Sequence, residues 1–332
     1  MSVDRDWAVS RETTSLRQAG SVGAVGAGQV LRPVSGPPIE GDGLTPIAEE
    51  AERAARLLHP EGLRLPRPLH RRLLTVANQK GGVGKTTTAV NVGAAMALHG
   101  LRTLVVDLDP QGNASTALSV EHRSGTSSVY EVLIGEVGVE DVVQVSPHSP
   151  NLLCVPATID LAGAEIELVS MVARESRLKE ALGEDVLARL DVDYIFIDCP
   201  PSLGLLTVNA LVATNEVFIP IQCEYYALEG LGQLLANIGL VQQHLNPTLS
   251  VTTILLTMYD GRTKLADQVT SEVRGHFGDL VLRTIIPRSV KVSEAPGYGQ
   301  SVLTYDPGSR GAMSYIDAAK EIALRGAEEG SA

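Results

Sequence analysis

With 332 residues, 44% of them apolar and 20% charged, the chain has the composition of an ordinary water-soluble globule and the length for one sizeable α/β domain or two small ones. No apolar run approaches the ~20 residues that span a bilayer, and the N-terminus lacks the charged and apolar segments of a secretory leader, so a cytoplasmic protein is expected. A net charge of −12 excludes wrapping nucleic acid with the whole surface, and Cys154, Cys199 and Cys223 have neither zinc-site nor disulfide-framework spacing.

Residues 1–44 are rich in Gly, Ser, Val and Pro without a sustained period, and stretches such as SVGAVGAGQV and SGPPIEGDG read as disordered linker. The stretch TPIAEEAERAARLL differs. Thr45 suits an N-cap, Pro46 the first helical position, and Ile47, Ala51, Ala54, Ala55 and Leu58 share one face, which predicts a short helix over 45–58. Such a helix fits packing on its own chain or docking on a partner. HPEGLRLPRPLHRR reads as an extended, proline-broken lead-in, so residues 1–72 form, on this reading, a mostly disordered N-terminal extension.

From Leu73 onward strand, loop and helix patterns repeat. Apolar strands are predicted at LLTVANQ, RTLVVDLD, NLLCVPA, DYIFIDCPP, EVFIPIQ, VTTILLTMYD and DLVLRTIIP, with helices near residues 86–98, 203–212, 228–244, 265–277 and 312–324. Strands apolar on both faces and alternating with helices predict an α/β fold: a doubly wound, mostly parallel sheet with helices on both faces, over 73–328.

The stretch NQKGGVGKTTTA follows the first strand. Gly81, Gly82 and Gly84 let the main chain approach phosphate oxygens, and the N–H groups and the positive end of the next helix converge on them. Lys85 neutralises β- and γ-phosphate charge and the Thr86 hydroxyl can ligate Mg²⁺, with Val83 and Thr87 completing the nucleotide loop, so ATP and Mg²⁺ are the expected cofactors. The ordinary motif G-x-x-x-x-G-K-T would put glycine at position 79, where this chain has Gln79; the variant K-G-G-V-G-K-T carries an additional Lys80. In VVDLDPQGNAS, Asp109 stands beyond a strand end where it can orient a water for in-line attack, and Asp107 suits a supporting role near the metal. A D-x-D at a strand end also fits capping of the following turn. In YIFIDCPPS, Asp198 occupies the position of a Walker B aspartate, which holds Mg²⁺ through water.

On the loop, Asp109 and Asp198, in that order, the chain resembles the deviant Walker A ATPases, a family that includes ParA partition proteins, MinD and the iron protein of nitrogenase. The resemblance implies that Lys80 reaches across a nucleotide-sandwich homodimer to the partner's phosphates, and that Asp109 positions the attacking water. MYDGRTKLADQV, IIPRSVKVSEAPGYGQSV and YDPGSRGAMSYIDAAKEI resemble the chromosomal ParA, or Soj, subfamily over about residues 72–325. That implies an ATPase for chromosome or plasmid partition: the ATP dimer binds double-stranded DNA without sequence preference, and a ParB-type protein stimulates slow hydrolysis and release. A cytoplasmic, nucleoid-associated protein follows.

By the same resemblance Arg262 and Lys291 contact DNA, with Arg288 as a neighbour, and Met258 and Pro287 flank the adenine. Arg262 equally fits capping a helix or pairing with Asp260 or Asp267, and Met258 and Pro287 fit plain core or turn roles. Two other readings need features the sequence shows poorly. A MinD-like membrane-associated ATPase needs a basic amphipathic C-terminal helix, whereas AAKEIALRGAEEGSA ends acidic and lacks Trp and Phe. An iron–sulfur reductase needs a second cysteine to accompany Cys199. A non-catalytic scaffold locked by ATP is a fourth reading, against which Asp109 argues.

Overall fold

A computed structural model describes residues 64–225 and 227–328. The helix expected over 45–58 and most of the expected extension lie outside the described residues. Each of the seven predicted strand segments overlaps a strand: β1 Arg72–Val76, β2 Thr103–Asp107, β4 Leu152–Val155, β5 Tyr194–Asp198, β6 Glu216–Gln222, β7 Ser250–Tyr259 and β8 Val281–Pro287, with β1 and β7 each starting one residue earlier than expected. An eighth, β3 Gln144–Val145, is only two residues long and has no pattern that the sequence could reveal. The sheet order is β3-β4-β2-β5-β1-β6-β7-β8. All neighbours are parallel except β3, which lies antiparallel on β4.

Burial explains the unbroken apolar runs. Every residue of β2, β4 and β5 is buried, as expected of parallel strands covered on both faces. The helices around the sheet include α1 Lys85–Leu98, α2 Asn113–Ala117, α3 Leu161–Val169, α4 Leu205–Ala213, α5 Ala227–His244, α6 Lys264–Phe277, α7 Val290–Glu294 and α8 Arg310–Glu328. Helix α1 runs beside the middle of the sheet, and its residues from Thr88 to Ala97 are all buried. The C-terminal helix α8 buries Ala312, Tyr315, Ile316, Ala318, Ala319, Ile322 and Ala323 in the same core. None of the helices among the described residues is long and apolar enough to cross a membrane.

Two features fix where a ligand can bind. The chain leaves β1 for β2 on one side, passing over the position of β5, and leaves β5 for β6 on the other side of β1. The loops after β1 and β5 therefore diverge and open a crevice at the carboxyl end of the sheet, the usual ligand position in such folds. At the opposite end a buried ion pair ties four elements together, β1, β6, β7 and α8. Arg72 Nε donates to Glu216 Oε1 at 2.7 Å, Arg72 Nη1 donates to the Ile322 carbonyl at 3.2 Å, and Thr252 Oγ1 donates to Glu216 Oε2 at 2.6 Å. The side chains of Arg72 and Glu216 are only 6% and 14% exposed. Arg72→Met should therefore lower stability by about 3–5 kcal/mol, because Glu216 would stay buried without its cation. An unfolding free energy from urea titration within about 0.5 kcal/mol of the parent would contradict this account.

Candidate nucleotide and metal site

The glycine loop runs from the end of β1 into α1 and is pinned from below. Asn78 Nδ2 donates to the Pro220 carbonyl on β6 at 2.9 Å, its Oδ1 accepts from the Lys80 N–H at 3.0 Å, and the Thr257 hydroxyl donates to the Val83 carbonyl at 2.8 Å. Val83 points into the protein and is buried. Gly82 and Gly84 have φ of +74° and +90°, a region that costs a side-chain-bearing residue energy. A Cβ added at Gly81 or Gly82 would meet no protein atom within 4 Å. Packing therefore does not demand a bare backbone at Gly81. An approaching ligand would.

Lys85, at the first turn of α1, is buried, with Nζ 3.5 Å from the Lys80 carbonyl. Burial pushes its pKa down, and the carboxyls of Asp198 and Asp109 and the Cys199 thiol push it back up. Asp198 ends β5 and is paired in register with Asp107 at the end of β2 and with Val76 at the end of β1. Both of its carboxylate oxygens are fully buried without a hydrogen-bond partner. Burial, then the neighbouring Asp107, hold its pKa well above the usual carboxylate range, while the Thr86 hydroxyl and Lys85 pull it down. The Thr86 hydroxyl thus faces Asp198 without reaching hydrogen-bond geometry to either oxygen. Two orphaned acid oxygens beside a hydroxyl form the donor set of a hard divalent cation.

Asp107 is placed differently. Its Oδ2 accepts from Ser115 Oγ at 2.6 Å and Ser115 N–H at 2.8 Å, and its Oδ1 from the Asp109 N–H at 3.3 Å. Burial raises its pKa to about 6 against the pull of Ser115. These bonds fix the turn that presents Asp109, so the capping role open to a D-x-D is filled by Asp107. Asp109 itself is nearly buried and accepts from the Gln111 N–H at 3.0 Å. Gly112, at φ +62°, starts α2; a Cβ there would come within 3.0 Å of the His122 ring and 3.1 Å of the Ala157 carbonyl. Ser115 carried no motif signal, since its role depends on a turn closing back on a strand.

On the β7–β8 side a cavity of about 80 Å³ is lined by Gly84, Thr87, Met258, Pro287 and Arg288 among others. Met258 holds φ +52°, unusual for a side-chain-bearing residue, and its Cε lies 3.8 Å from the ideal Cβ position of Gly84. The loop, Met258 and Pro287 are therefore brought together. A larger cavity of about 800 Å³ lies elsewhere, at the start of β8 and the end of α8, where Glu321 accepts from the Arg283 and Thr284 N–H groups of the edge strand. None of the glycine-loop residues lines it.

Comparison with known proteins now gives the family. A model described as an AAA domain matches residues 71–251. The chain is 53% identical over 255 residues to the sporulation initiation inhibitor protein Soj of Bacillus subtilis, covering 77% of this chain and 99% of that one. It is 49% identical over 254 residues to the chromosome partitioning protein ParA of Caulobacter vibrioides, covering 76% and 94%. The chain belongs to the ParA/Soj family. Among solved structures it is similar to a cobyrinic acid a,c-diamide synthase from Mycobacterium smegmatis with bound ATP analog and magnesium, at 40% identity and TM-score 0.66 over 79% of this chain and 96% of that one. The cell division ATPase MinD of Pyrococcus furiosus matches at 26% identity and TM-score 0.61, over 76% and 99%. The fold is that of a P-loop ATPase of the ParA/MinD type.

The residues that ParA/Soj resemblance marks for DNA all have acidic neighbours. Arg262, 87% exposed, is clamped on Asp260, with Nε and Nη2 donating to the two carboxylate oxygens at 2.8 and 2.7 Å. Asp260 is accordingly depressed to about 2. Lys291 on α7 bonds Glu294 at 3.3 Å and lies 5.5 Å from the centroid of the Tyr305 ring. Arg288 lies 3.5 Å from Glu224, whose other oxygen accepts from Lys80 at 3.1 Å. Sequence reading missed Glu224. Its one signal was position, two residues beyond the carboxyl end of the apolar run EVFIPIQ.

Proposed function

We propose that the protein is an ATP-dependent DNA-partition ATPase that acts as a nucleotide-sandwich dimer. The observation that carries this reading is the convergence of Lys85, Thr86 and the two unpartnered oxygens of Asp198 at the mouth of the glycine loop. The similarity to partition proteins, at 49–53% identity over nearly their whole length, supports the choice of cargo class. The loop from Lys80 to Thr87 holds the triphosphate through its N–H groups and Lys85. Thr86 and Asp198 would hold magnesium, which would supply positive charge against the triphosphate. Asp107 anchors the turn through Ser115 and so aims Asp109 at the attacking water. Met258 and Pro287 enclose the base, and Lys80 completes the partner's site.

DNA binding is assigned to Arg262 and Lys291, with Arg288 beside them, through phosphate contacts that carry no sequence preference. Their present partners do not oppose this. Water screens an exposed ion pair such as Arg262–Asp260, so a phosphate can displace Asp260 at small cost. A ParB-type protein would stimulate hydrolysis and release. Two measurements test the reading. Light scattering should show the molar mass doubling on addition of ATP and magnesium. Arg262→Glu with Lys291→Glu should weaken ATP-dependent DNA binding at least tenfold (~) while leaving that doubling intact. Equal DNA binding by the double variant would remove these residues from the interface.

A further inference from the structure

The Lys80 backbone is anchored, so any change in where its ammonium lies falls to the side chain. Its N–H is held by Asn78, which is itself anchored on β6. The Nζ of Lys80 is 3.1 Å from Glu224 Oε2 of the same chain, while Glu224 Oε1 lies 3.5 Å from Arg288 Nη2 and accepts from Gln222 Nε2. Glu224 therefore carries two cations, one from the phosphate loop and one from the β8–α7 turn. The Lys80 and Glu224 side chains are 35% and 44% exposed, so the bridge stands at the rim of the crevice where a second copy would close.

We propose that Glu224 is a positioning residue that holds Lys80 back against its own chain until a second nucleotide-loaded copy competes for it. The inference rests on the sandwich-dimer reading and adds a threshold to it. A Lys80 ammonium bound to its own carboxylate must leave it to reach phosphates on the partner, and closing one dimer breaks two such bridges. Arg288 keeps Glu224 neutralised after Lys80 departs, which lowers the cost of release.

Each exposed bridge resists its loss by a factor of about two to five, so removing both should tighten the dimer by about fourfold to twenty-fivefold. The test is the dimer dissociation constant of full-length Glu224→Gln in a saturating non-hydrolysable ATP analogue with magnesium, measured by sedimentation. Glu224→Ala should shift it in the same direction. Arg288→Ala should bring no gain, because Glu224 then has Lys80 alone. The gap between parent and Glu224→Gln should narrow as salt rises from 50 to 500 mM (~), since salt screens an exposed pair and leaves a packing effect untouched. If the parent pairs and Glu224→Gln pairs no more tightly, the latch is overturned while the dimer stands. If the parent stays monomeric with the analogue, the sandwich reading fails and the latch with it.

Discussion

Asp109→Ala is expected to slow ATP turnover roughly 100-fold or more while leaving ATP-dependent pairing intact. The carboxylate stands beyond the end of β2 on a turn fixed by Asp107 and Ser115, the place from which a water can be aimed in line with the bond that breaks. It makes no bridge to Lys85, so nucleotide binding should survive its removal. Phosphate release, measured with DNA and a ParB-type partner present, reads the rate, and light scattering reads the pairing. An undiminished rate would remove Asp109 from the chemistry. Loss of pairing as well as rate would assign it a structural part in the loop.

Lys80→Ala is expected to abolish the doubling of molar mass with ATP at concentrations where the parent pairs. A charged hydrogen bond to phosphate contributes about 1.5–3 kcal/mol, and each dimer makes the contact twice, so the dimer constant should fall by a factor of roughly 10² or more. Nucleotide affinity of the single chain should change only a few-fold, because Lys85 and the loop N–H groups remain. The competing assignment, a lysine that serves its own nucleotide, predicts the opposite split: weaker binding by the monomer and an unchanged dimer constant. Fluorescent-nucleotide titration beside sedimentation separates the two. Loss of the Lys80–Glu224 bridge by itself should hardly move the thermal midpoint, since both side chains are part-exposed.

Sequence reading located the strands well and the short helices badly, for one physical reason. A strand buried on both faces must be apolar at nearly every position, and YIFID or TLVVD can hardly be read otherwise. The segments Val129–Ile134, Arg177–Ala181 and Glu184–Leu190 are one or two turns long, too short for a helical period to show, and are held by tertiary contacts. The first is closed by a capping box in which Ser128 and Glu131 bond each other's backbone ends. That signature was present in the sequence and passed over. The two-residue strand β3 exists only because β4 offers it an edge.

The glycine loop was legible as a candidate because binding phosphate through backbone N–H groups demands glycines, a lysine and a hydroxyl at fixed spacing, and no folding alternative demands the same set. The acids after β2 and β5 were legible as candidates, since strand ends in such a sheet face the ligand. By itself the sequence thus determined the parallel architecture and marked the glycine loop and the two acidic strand ends as the candidate site. The tertiary structure alone decided how those acids divide. It saturates Asp107 with Ser115 and leaves both oxygens of Asp198 without a partner, although both are fully buried. It alone brought Glu224 from 144 residues away to Lys80, and set Asp260 on Arg262 and Glu294 on Lys291. Hydrogen bonds and ion pairs act over a few ångströms of space, and that distance is set by the packing of the sheet rather than by any pattern along the chain.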